Sequence, residues 1–327
     1  MPTLRVAAVQ AAPVFLDLAA TVDKAIALID DAGRQGVELL AFPETWIPGY
    51  PFWIWLDSPA AGMRFVGAYH ANSLVAGGAE DRALADAARR HGMTVAMGVS
   101  ERDGGSLYMG QWLYGADGGV LARRRKLKPT HVERTLFGEG DGSDLQVVAT
   151  PLGRIGSLCC WEHLQPLTKY AMYAQQEQIH VAAWPSFSLY NGAAYALGPE
   201  LNTAASQLYA AEGQCFVLAA CAVVSPEMIE LLCDTPAKRE LLRAGGGHAR
   251  IFGPDGAPLG APLAPDAEGL VMADIDLAAI AYAKSAADPV GHYSRPDVLR
   301  LMFNARPNPR VVPFEGDFDA SGQPGNF

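Results

Sequence analysis

The sequence predicts an α/β protein built on a mixed β-sheet, and three features of the chain lead to this prediction. Short, nearly continuous apolar runs rich in Val, Ala and Leu alternate with longer segments of helical period. Some successive strands are separated by enough residues for a helix, whereas others are joined by a tight turn. Parallel and antiparallel pairs are therefore both expected, in sheets that are buried on both faces.

The first part of the chain alternates between the two kinds of segment. The helical patterns end where such patterns usually end, at Gly36 in one case and after a basic last turn at Gly92 in the other. A hairpin is expected over 106–127, because strand-like runs flank a turn at 116–119. The remaining predictions are strands at 4–10, 37–44 and 93–101, and helices at 20–36 and 80–92.

The second part continues the alternation. Pro166 is suited to the first turn of a helix over 166–178. Two apolar segments, 248–259 and 268–276, are predicted to form a further hairpin with each other. The other predictions are strands at 145–150, 154–160 and 179–185, a helix followed by a strand within 202–221, and a helix over 277–286.

One domain is expected over residues 1–303, because no linker or low-complexity segment interrupts this part of the chain. From residue 304 the composition turns polar and rich in Pro and Gly. Residues 304–327 are therefore predicted to form an extended or disordered C-terminal tail.

Charge and cysteine content exclude several classes of function. The formal net charge of −10 argues against nucleic acid and anionic membranes as partners. Apolar runs of membrane-spanning length are missing, and the N-terminal residues lead directly into a strand pattern without a leader. The five cysteines follow no disulfide spacing, so a cytoplasmic protein with reduced thiols is expected.

The segment GRIGSLCCWEHLQPL, residues 153–167, is the most unusual in the chain. The C-x-x-H spacing from Cys160 to His163 could supply two zinc ligands, but a structural zinc site needs a second pair that the sequence does not offer. Adjacent cysteines also lack the C-x-x-C spacing of redox pairs. The G-x-G element within 138–144 is too acidic for phosphate, and the chain has no G-x-S-x-G. A cysteine nucleophile is the prediction that remains.

The two cysteines are expected to have different roles. Neighbouring side chains of a strand point to opposite faces, so one thiol faces a cavity and the other faces the core. Cys160 stands where the strand gives way to a turn, and polar residues follow it. We therefore predict that Cys160 is the nucleophile and that Cys159 packs in the core.

Two other segments carry charge at the ends of strands. Glu44 follows an apolar strand, where partial desolvation would raise its pKa towards that of a general base; an N-cap or surface-loop role is equally open. Strand alternation sends Lys126 and Lys128 to one face, where a lysine could stabilise a developing anion. A solvated basic edge is the alternative for this charge run, and Glu133 follows in the next segment.

Three blocks of the sequence together resemble a known family. FPET with Glu44, RRKLKPTHVER with Lys126 and LCCWEHLQPL with Cys160 are similar to the signature blocks of the nitrilase branch of the carbon–nitrogen hydrolases. The resemblance extends to about residue 300. Within the branch, ETWIPGYPFWIWL, AYHANSL and AAWPSFSLY are most similar to bacterial nitrilases that favour arylacetonitriles.

The resemblance implies a catalytic triad of Glu44, Lys126 and Cys160, with Glu133 often counted beside it. The match to the block selects Lys126 over Lys128. It also implies a four-layer αββα sandwich, and self-association into dimers and larger spirals or filaments, with the tail reaching across a subunit interface. The implied reaction converts an organic nitrile to its acid and ammonia through a cysteine thioimidate and thioester, with some amide as a by-product. No metal or organic cofactor is expected.

Aromatic residues that flank these blocks are expected to line the substrate pocket and to favour an aryl group. His163 and His292 are expected to be hydrogen-bonded structural histidines. The candidate pocket residues are Tyr50, Thr130, Phe137, Trp161, Trp184 and Pro185.

Two other functions have to be weighed against a nitrilase. An amidase or an N-carbamoyl hydrolase would share the Glu-Lys-Cys set, but the Trp-Glu-His sequence after Cys160 resembles nitrilases. A non-catalytic scaffold or binding member of the family is the other alternative. The presence of all four charged or thiol positions argues against it.

Overall fold

The computed structural model describes residues 3–190 and 192–312. The strands are β1 Leu4–Ala11, β2 Leu39–Ala41, β3 Thr94–Asp103, β4 Ser106–Tyr114, β5 Val120–Arg125, β6 Val148–Thr150, β7 Gly153–Cys159, β8 Ile179–Trp184, β9 Phe216–Ala222, β10 Arg250–Phe252, β11 Pro258–Leu259 and β12 Gly269–Ile275. The α-helices are α1 Leu18–Arg34, α2 Trp53–Leu56, α3 Pro59–Ala71, α4 Ala79–His91, α5 Pro166–Tyr173, α6 Pro199–Gly213, α7 Pro226–Leu232, α8 Pro236–Leu241 and α9 Ala279–Ala287.

The helix ends follow the local signals of the sequence. The Asp17 side chain caps α1 by accepting a hydrogen bond from the Ala20 amide. Helix α4 ends at Gly92, which adopts the left-handed conformation with φ of 58°, after three basic residues in its last turn. Pro166 occupies the first turn of α5. The predicted helices in these three places are confirmed, whereas α2, α3, α7 and α8 had not been predicted.

The strands form a mixed sheet, as the sequence predicts. They follow the order β5-β4-β3-β2-β1-β9-β8-β7-β6, with β12 beside β1, and β10 beside both β9 and β11. The central pairs β1–β2, β2–β3, β1–β9, β8–β9 and β7–β8 are parallel. The hairpins β3–β4–β5 and β6–β7 are antiparallel.

The sheet folds into two facing halves, because its two central strands pair only at one end. The pairing between β1 and β9 is confined to Gln10 with Cys221 and Ala11 with Ala222. Beyond this short junction the halves face each other: the Gln111 amide donates to the Val181 carbonyl 3.5 Å away. Apolar side chains of both halves fill the space between them.

Helices cover the outer faces of both halves and complete four layers. Buried residues of α1 and α4, such as Val22 and Leu84, share one apolar cluster with residues of β1 to β4. Buried residues of α5 and α6, such as Met172 and Tyr209, pack with the strands of the second half. The order of the layers is helix, sheet, sheet, helix, which confirms the expected αββα sandwich.

The predicted hairpin between 248–259 and 268–276 is wrong. β10 turns back onto β11 instead, and β12 lies antiparallel to β1 from Leu4–Ile275 to Gln10–Gly269. This long ladder pairs seven residues of β12 with β1, whereas β10 has only three residues to offer. The periodicity of 268–276 identified a strand but not its partner.

The described part of the predicted tail, residues 304–312, contains no helix or strand. It packs against the domain of the same chain. The Asn308 amide donates to Asp141 Oδ2 at 2.7 Å, and the Arg310 guanidinium lies 5.3 Å from the centre of the Tyr108 ring. The rest of the tail, 313–327, lies outside the described residues. Across the described ranges, none of the helices is long and apolar enough to cross a membrane.

Candidate active site

Three loops bring a carboxylate, an ammonium and a second carboxylate together in the interior. The Lys126 Nζ donates to Glu44 Oε1 at 2.9 Å and to Glu133 Oε2 at 2.8 Å. All three side chains are at most 1% exposed to solvent. A buried charge is tolerated when it is paired and hydrogen-bonded, so each member of this cluster depends on the others.

Glu44 enters the cluster from the loop that follows β2. Its amide donates to the Trp184 carbonyl at 3.3 Å, which fixes the loop against the end of β8. Gly98 of β3 permits the close approach, because a Cβ at that position would lie 1.7 Å from the Pro43 carbonyl oxygen. Glu44 Oε2 has no hydrogen-bond partner among the described residues. This oxygen is available to accept a proton.

The structure separates the two lysines that the strand pattern placed on one face. β5 ends at Arg125, and Lys126 N donates to the Met109 carbonyl at 2.7 Å just beyond it. The Lys126 side chain is buried, whereas the Lys128 side chain is 58% exposed and pairs with Glu139. The expectation that both lysines share a face is therefore wrong, because alternation stops where the strand stops.

Glu133 is held by three donors in a short 3₁₀ turn. Besides Lys126, the Thr130 amide donates to Glu133 Oε2 at 2.5 Å and the Tyr50 hydroxyl donates to Oε1 at 2.7 Å. The Tyr50 hydroxyl in turn accepts from the Trp55 indole at 2.9 Å. These contacts fix both Glu133 and Tyr50 next to Lys126.

The two cysteines lie in different surroundings, as the sequence predicts. Cys159 ends β7 in the core, and its thiol donates to Gln111 Oε1 at 3.3 Å. Cys160 begins the 3₁₀ turn over 160–164 with a φ of +45°, a conformation that is uncommon outside glycine. This turn carries the Cys160 side chain out of the strand and into a cavity.

A buried ion pair ties the Cys160 turn to the Lys126 loop. Glu162 Oε1 accepts from Arg124 Nη2 and from the Leu127 amide, both at 2.8 Å. Glu162 Oε2 accepts from the Cys159 amide at 2.7 Å. One carboxylate therefore connects the end of β5 to the end of β7.

Arg124→Leu is expected to lower the free energy of unfolding by about 3–5 kcal/mol, because it leaves the Glu162 carboxylate buried without its charge partner. Urea unfolding followed by circular dichroism measures this change. Arg5→Leu is the matched control, since Arg5 pairs with Asp274 at the surface and should change stability little. Equal losses in the two variants would contradict the prediction.

Burial dominates the proton affinities of the cluster. Desolvation raises the pKa of Glu44 to about 8, against the attraction of Lys126. Burial likewise holds the pKa of the Cys160 thiol well above its ordinary value, with Glu44 adding to the effect and Lys126 opposing it. Burial lowers the pKa of Lys126, but the charges of Glu133 and Glu44 outweigh it and hold that pKa well above its ordinary value. The arrangement therefore combines a resting thiol, a strengthened carboxylate base and a fixed ammonium group.

The cavity beside Cys160 is small. Its water-accessible volume is about 40 Å³, below the roughly 300–1,000 Å³ of typical small-molecule pockets, so a substrate has to displace some lining side chains. Phe187 also lines a neighbouring cavity of about 580 Å³. Neither Cys160 nor any of Glu44, Lys126 and Glu133 lines that second cavity. The lining residues are Tyr50, Phe52, Trp55, Thr130, Glu133, Cys160, Trp161, Pro185, Ser186, Phe187, Leu189, Leu197 and Asn202.

Two of the predicted pocket residues lie elsewhere. Phe137 packs against Tyr69 with ring centres 6.0 Å apart. Trp184 donates to Ser206 Oγ at 2.8 Å, and its ring stacks on His163 at 5.1 Å. Neither lines the cavity, so their roles as substrate contacts stay predictions. Tyr50, Thr130, Trp161 and Pro185 do line it.

Sequence reasoning missed several aromatic and apolar residues of the cavity. Phe52 and Trp55 come from the segment YPFWIWL, and Phe187 and Leu189 come from AAWPSFSLY. Both segments carry the resemblance to arylacetonitrile-type nitrilases, so aromatic density in those blocks was the available signal. Of the two histidines, His163 is buried and hydrogen-bonded, whereas His292 is exposed.

Comparison with known proteins gives a consistent result. Residues 5–285 match the family described as Carbon-nitrogen hydrolase. The chain is 65% identical to a nitrilase of Pseudomonas syringae pv. syringae, over 94% of this chain and 92% of that protein. It is 57% identical to an aliphatic nitrilase of Rhodococcus rhodochrous, over 93% and 83% of the two chains.

An arylacetone-specific nitrilase of Alcaligenes faecalis is 54% identical, over 92% of this chain and 85% of that protein. Among solved structures, a carbon–nitrogen hydrolase from Helicobacter pylori superposes with a TM-score of 0.71, covering 90% of this chain and 97% of that one. At 17% identity this likeness supports the fold alone. The four-layer fold, the family match and the relatives agree that the chain belongs to the carbon–nitrogen hydrolase family.

Proposed function

We propose that the protein is a nitrilase that converts an organic nitrile and two molecules of water to a carboxylic acid and ammonia. The observation that carries the proposal is the buried Lys126, held between Glu44 and Glu133. Glu133 lines one cavity with Cys160, and the charges of Glu44 and Lys126 act on the Cys160 thiol. The identity to relatives named nitrilases supports the choice of a nitrile over other carbon–nitrogen bonds.

Cys160 is the proposed nucleophile. Glu44 takes the thiol proton as the sulfur attacks the nitrile carbon, and the nitrile nitrogen receives that proton to give a thioimidate. Water adds to the thioimidate carbon, with Glu44 again accepting a proton. The tetrahedral intermediate expels ammonia and leaves a thioester, which a second water hydrolyses to the acid and the free thiol.

Lys126 is the proposed electrostatic partner of the reacting nitrogen or oxyanion, together with the backbone N–H of Trp161. Glu133 keeps Lys126 charged and in place through its 2.8 Å hydrogen bond. If the tetrahedral intermediate expels the thiol instead of ammonia, the product is an amide. The proposed mechanism therefore includes a minor amide product from the same intermediate.

An aromatic nitrile is the proposed substrate class. Tyr50, Phe52, Trp55, Trp161 and Phe187 surround the nucleophile, and aromatic rings pack well against an aryl group. The relatives include both an aliphatic and an arylacetone-specific nitrilase, so the support for this preference comes from the lining of the cavity.

Self-association into dimers and longer spirals, and a cytoplasmic location, stay predictions. Exposed apolar side chains on α5 and α6, Leu167 and Leu208, are 70% and 52% exposed, which supports a subunit contact on these helices. The five free and buried cysteines support a reducing compartment.

Incubation with matched substrates tests the activity. Phenylacetonitrile should release ammonia and phenylacetic acid, and faster than an aliphatic nitrile such as butyronitrile. Phenylacetamide is the control that separates a nitrilase from an amidase, and it should be a poor substrate. Ammonia release from the amide alone would overturn the proposal, and a faster aliphatic nitrile would overturn only the aromatic preference.

The pH dependence of kcat/KM should report the raised pKa of Glu44. Glu44 acts in its ionised form, and burial raises its pKa from 4.5 to about 8, so kcat/KM should fall about tenfold per pH unit below that value. Rates with phenylacetonitrile between pH 5.5 and 9 measure the profile. A carboxyl group whose pKa is raised in the folded state stabilises the fold when it is protonated, so this contribution is largest at the acid end of the range and is lost as the pH rises towards 8. Unfolding through Glu44 therefore does not account for a lower rate at acid pH.

Circular dichroism at each pH provides the control for folding in the pH experiment. A rate that stays constant from pH 9 down to pH 5.5, with the fold intact, would contradict the assignment of Glu44 as the base.

A further inference from the structure

A chain of buried polar side chains lies directly behind the nucleophile turn. His163 Nδ1 lies 2.6 Å from the Cys160 carbonyl oxygen, and His163 Nε2 lies 2.9 Å from His180 Nε2. His180 Nδ1 lies 2.7 Å from Glu177 Oε1, and the Tyr209 hydroxyl donates to Glu177 Oε2 at 2.6 Å. Glu177 and the two histidines are at most 2% exposed. The mechanism above uses none of these four side chains.

The chemistry of the Cys160 carbonyl fixes the direction of every hydrogen bond in this chain. A carbonyl oxygen can only accept, so His163 carries its proton on Nδ1. The Nε2 of a neutral His163 is then an acceptor, so His180 Nε2 must donate to it. The remaining contact, between His180 Nδ1 and Glu177 Oε1, therefore needs one shared proton.

Burial favours placing this proton on Glu177. Desolvation raises the pKa of Glu177 to about 8 and lowers the pKa of both histidines well below the ordinary value. Charged groups also face the chain, namely Arg124 and Glu162, whose opposite effects on the His180 pKa offset each other in part. A protonated Glu177 and two neutral imidazoles satisfy every contact.

Ring packing fixes the orientation of both histidines. The His163 ring stacks on Trp184 with centres 5.1 Å apart, and the His180 ring stacks on Tyr209 at 3.8 Å. The imidazoles therefore have little freedom to rotate. A His163 of this orientation and tautomer presents its N–H to one acceptor, the Cys160 carbonyl.

The direction of the Cys160 carbonyl also sets the direction of the Trp161 N–H, because both belong to the same peptide group. In a planar trans peptide, the carbonyl and the N–H of the next residue point in opposite directions. Fixing the carbonyl towards His163 thus directs the Trp161 N–H away from it, and the hydrogen bond from this N–H lowers the pKa of the Cys160 thiol. The same peptide follows the uncommon φ of +45° at Cys160.

We propose that His163 is a positioning residue that holds the Cys160–Trp161 peptide so that its N–H faces the reacting sulfur and the developing anion, and that Glu177 and His180 set the tautomer of His163. The inference rests on the proposed function for its kinetic consequences. It assigns a role to a buried carboxyl and two histidines that neither line the cavity nor hydrogen-bond to the Lys126 cluster.

Paired substitutions test the two parts of this proposal. His163→Asn keeps a side-chain N–H near the position of Nδ1, whereas His163→Ala removes the donor. Glu177→Gln keeps a donor for His180 Nδ1 and an acceptor for the Tyr209 hydroxyl. Glu177→Leu has a side chain of similar size but removes both hydrogen-bonding groups. Glu177→Leu leaves His180 Nδ1 buried without a hydrogen-bond partner, so no group fixes the orientation and tautomer of His180 or, through it, of His163.

The Ala and Leu variants should lower kcat for phenylacetonitrile by at least about tenfold with little change in KM, since a misplaced oxyanion donor acts mainly on the transition state. His163→Asn and Glu177→Gln should stay within about threefold of the wild type. Ser206→Ala is the control, because it removes the partner of the Trp184 indole in the same core and leaves the chain intact.

A second readout does not depend on the nitrilase reaction. Peptide mapping after treatment with iodoacetamide gives the alkylation rate of Cys160, which should fall in the Ala and Leu variants and not in their Asn and Gln counterparts. A wild type that is inactive on nitriles would overturn the proposed function and leave this comparison valid. Equal kcat and equal alkylation in all folded variants, or equal losses in both members of each pair, would overturn the positioning role.

Discussion

Cys160→Ala should abolish nitrile turnover, with a loss of at least about 10⁴-fold, whereas Cys159→Ala should retain activity within a few-fold of the wild type. The adjacent thiols make this a matched pair that differs in position alone. Cys160 lines the cavity, but Cys159 is fully buried and hydrogen-bonded to Gln111. Initial rates with phenylacetonitrile measure both variants.

The two cysteine variants should also differ in stability and in covalent labelling. Cys159→Ala should have a lower melting temperature, because it removes a buried group and its hydrogen bond. Intact-mass spectra of the wild type quenched during turnover should show a thioimidate or acyl adduct that Cys160→Ala lacks. A loss of turnover in Cys159→Ala together with activity in Cys160→Ala would reverse the assignment of the nucleophile.

Glu44→Gln should lower kcat by about 10²–10⁴-fold while the protein stays folded. The amide oxygen of Gln can still accept the hydrogen bond from Lys126, which Glu44 Oε1 accepts at 2.9 Å. The amide cannot accept a proton, so the sulfur loses its base during attack. Stopped-time assays with phenylacetonitrile measure the rate, and thermal unfolding measures the fold.

The chain offers a close control for this variant. Glu177 is also a buried carboxyl whose pKa burial raises to about 8. The charge of Glu44 acts on the Cys160 thiol, whereas Glu177 is hydrogen-bonded to His180 and Tyr209. Glu177→Gln changes the same chemical group in a similarly buried place and should leave kcat within about threefold. Similar losses in both variants would mean that burial of a carboxyl, and not its place beside Cys160, explains the effect.

Local pattern predicted most of the elements and the different surroundings of the two adjacent thiols. Alternating periods of two and 3.6 residues, with glycines at the ends of helices, were sufficient for the strands and for α1, α4, α5, α6 and α9. Side-chain alternation separated Cys159 from Cys160, because a strand and its end impose that difference whatever lies around them. The desolvation expected for Glu44 is likewise confirmed by its complete burial.

Predictions failed where the answer depends on distant parts of the chain. The hydrophobic periodicity of 268–276 did not place β12 beside β1, since the same pattern suits a strand with any pairing partner. Strand alternation placed Lys126 and Lys128 on the same face, but that rule no longer applies once β5 ends at Arg125. Phe137 and Trp184 have the expected neighbours in sequence, yet neither lines the cavity beside Cys160.

The amino-acid sequence therefore suffices for the α/β class, for the thiol that leaves the strand at Cys160 and for membership in the family. These features arise from local backbone geometry and from blocks of adjacent residues. The tertiary structure was needed to show that Lys126 bridges Glu44 and Glu133, and that Glu177, His180 and His163 form one buried chain. Such contacts join residues far apart in sequence, and their strength comes from the exclusion of water that only the packed sandwich provides.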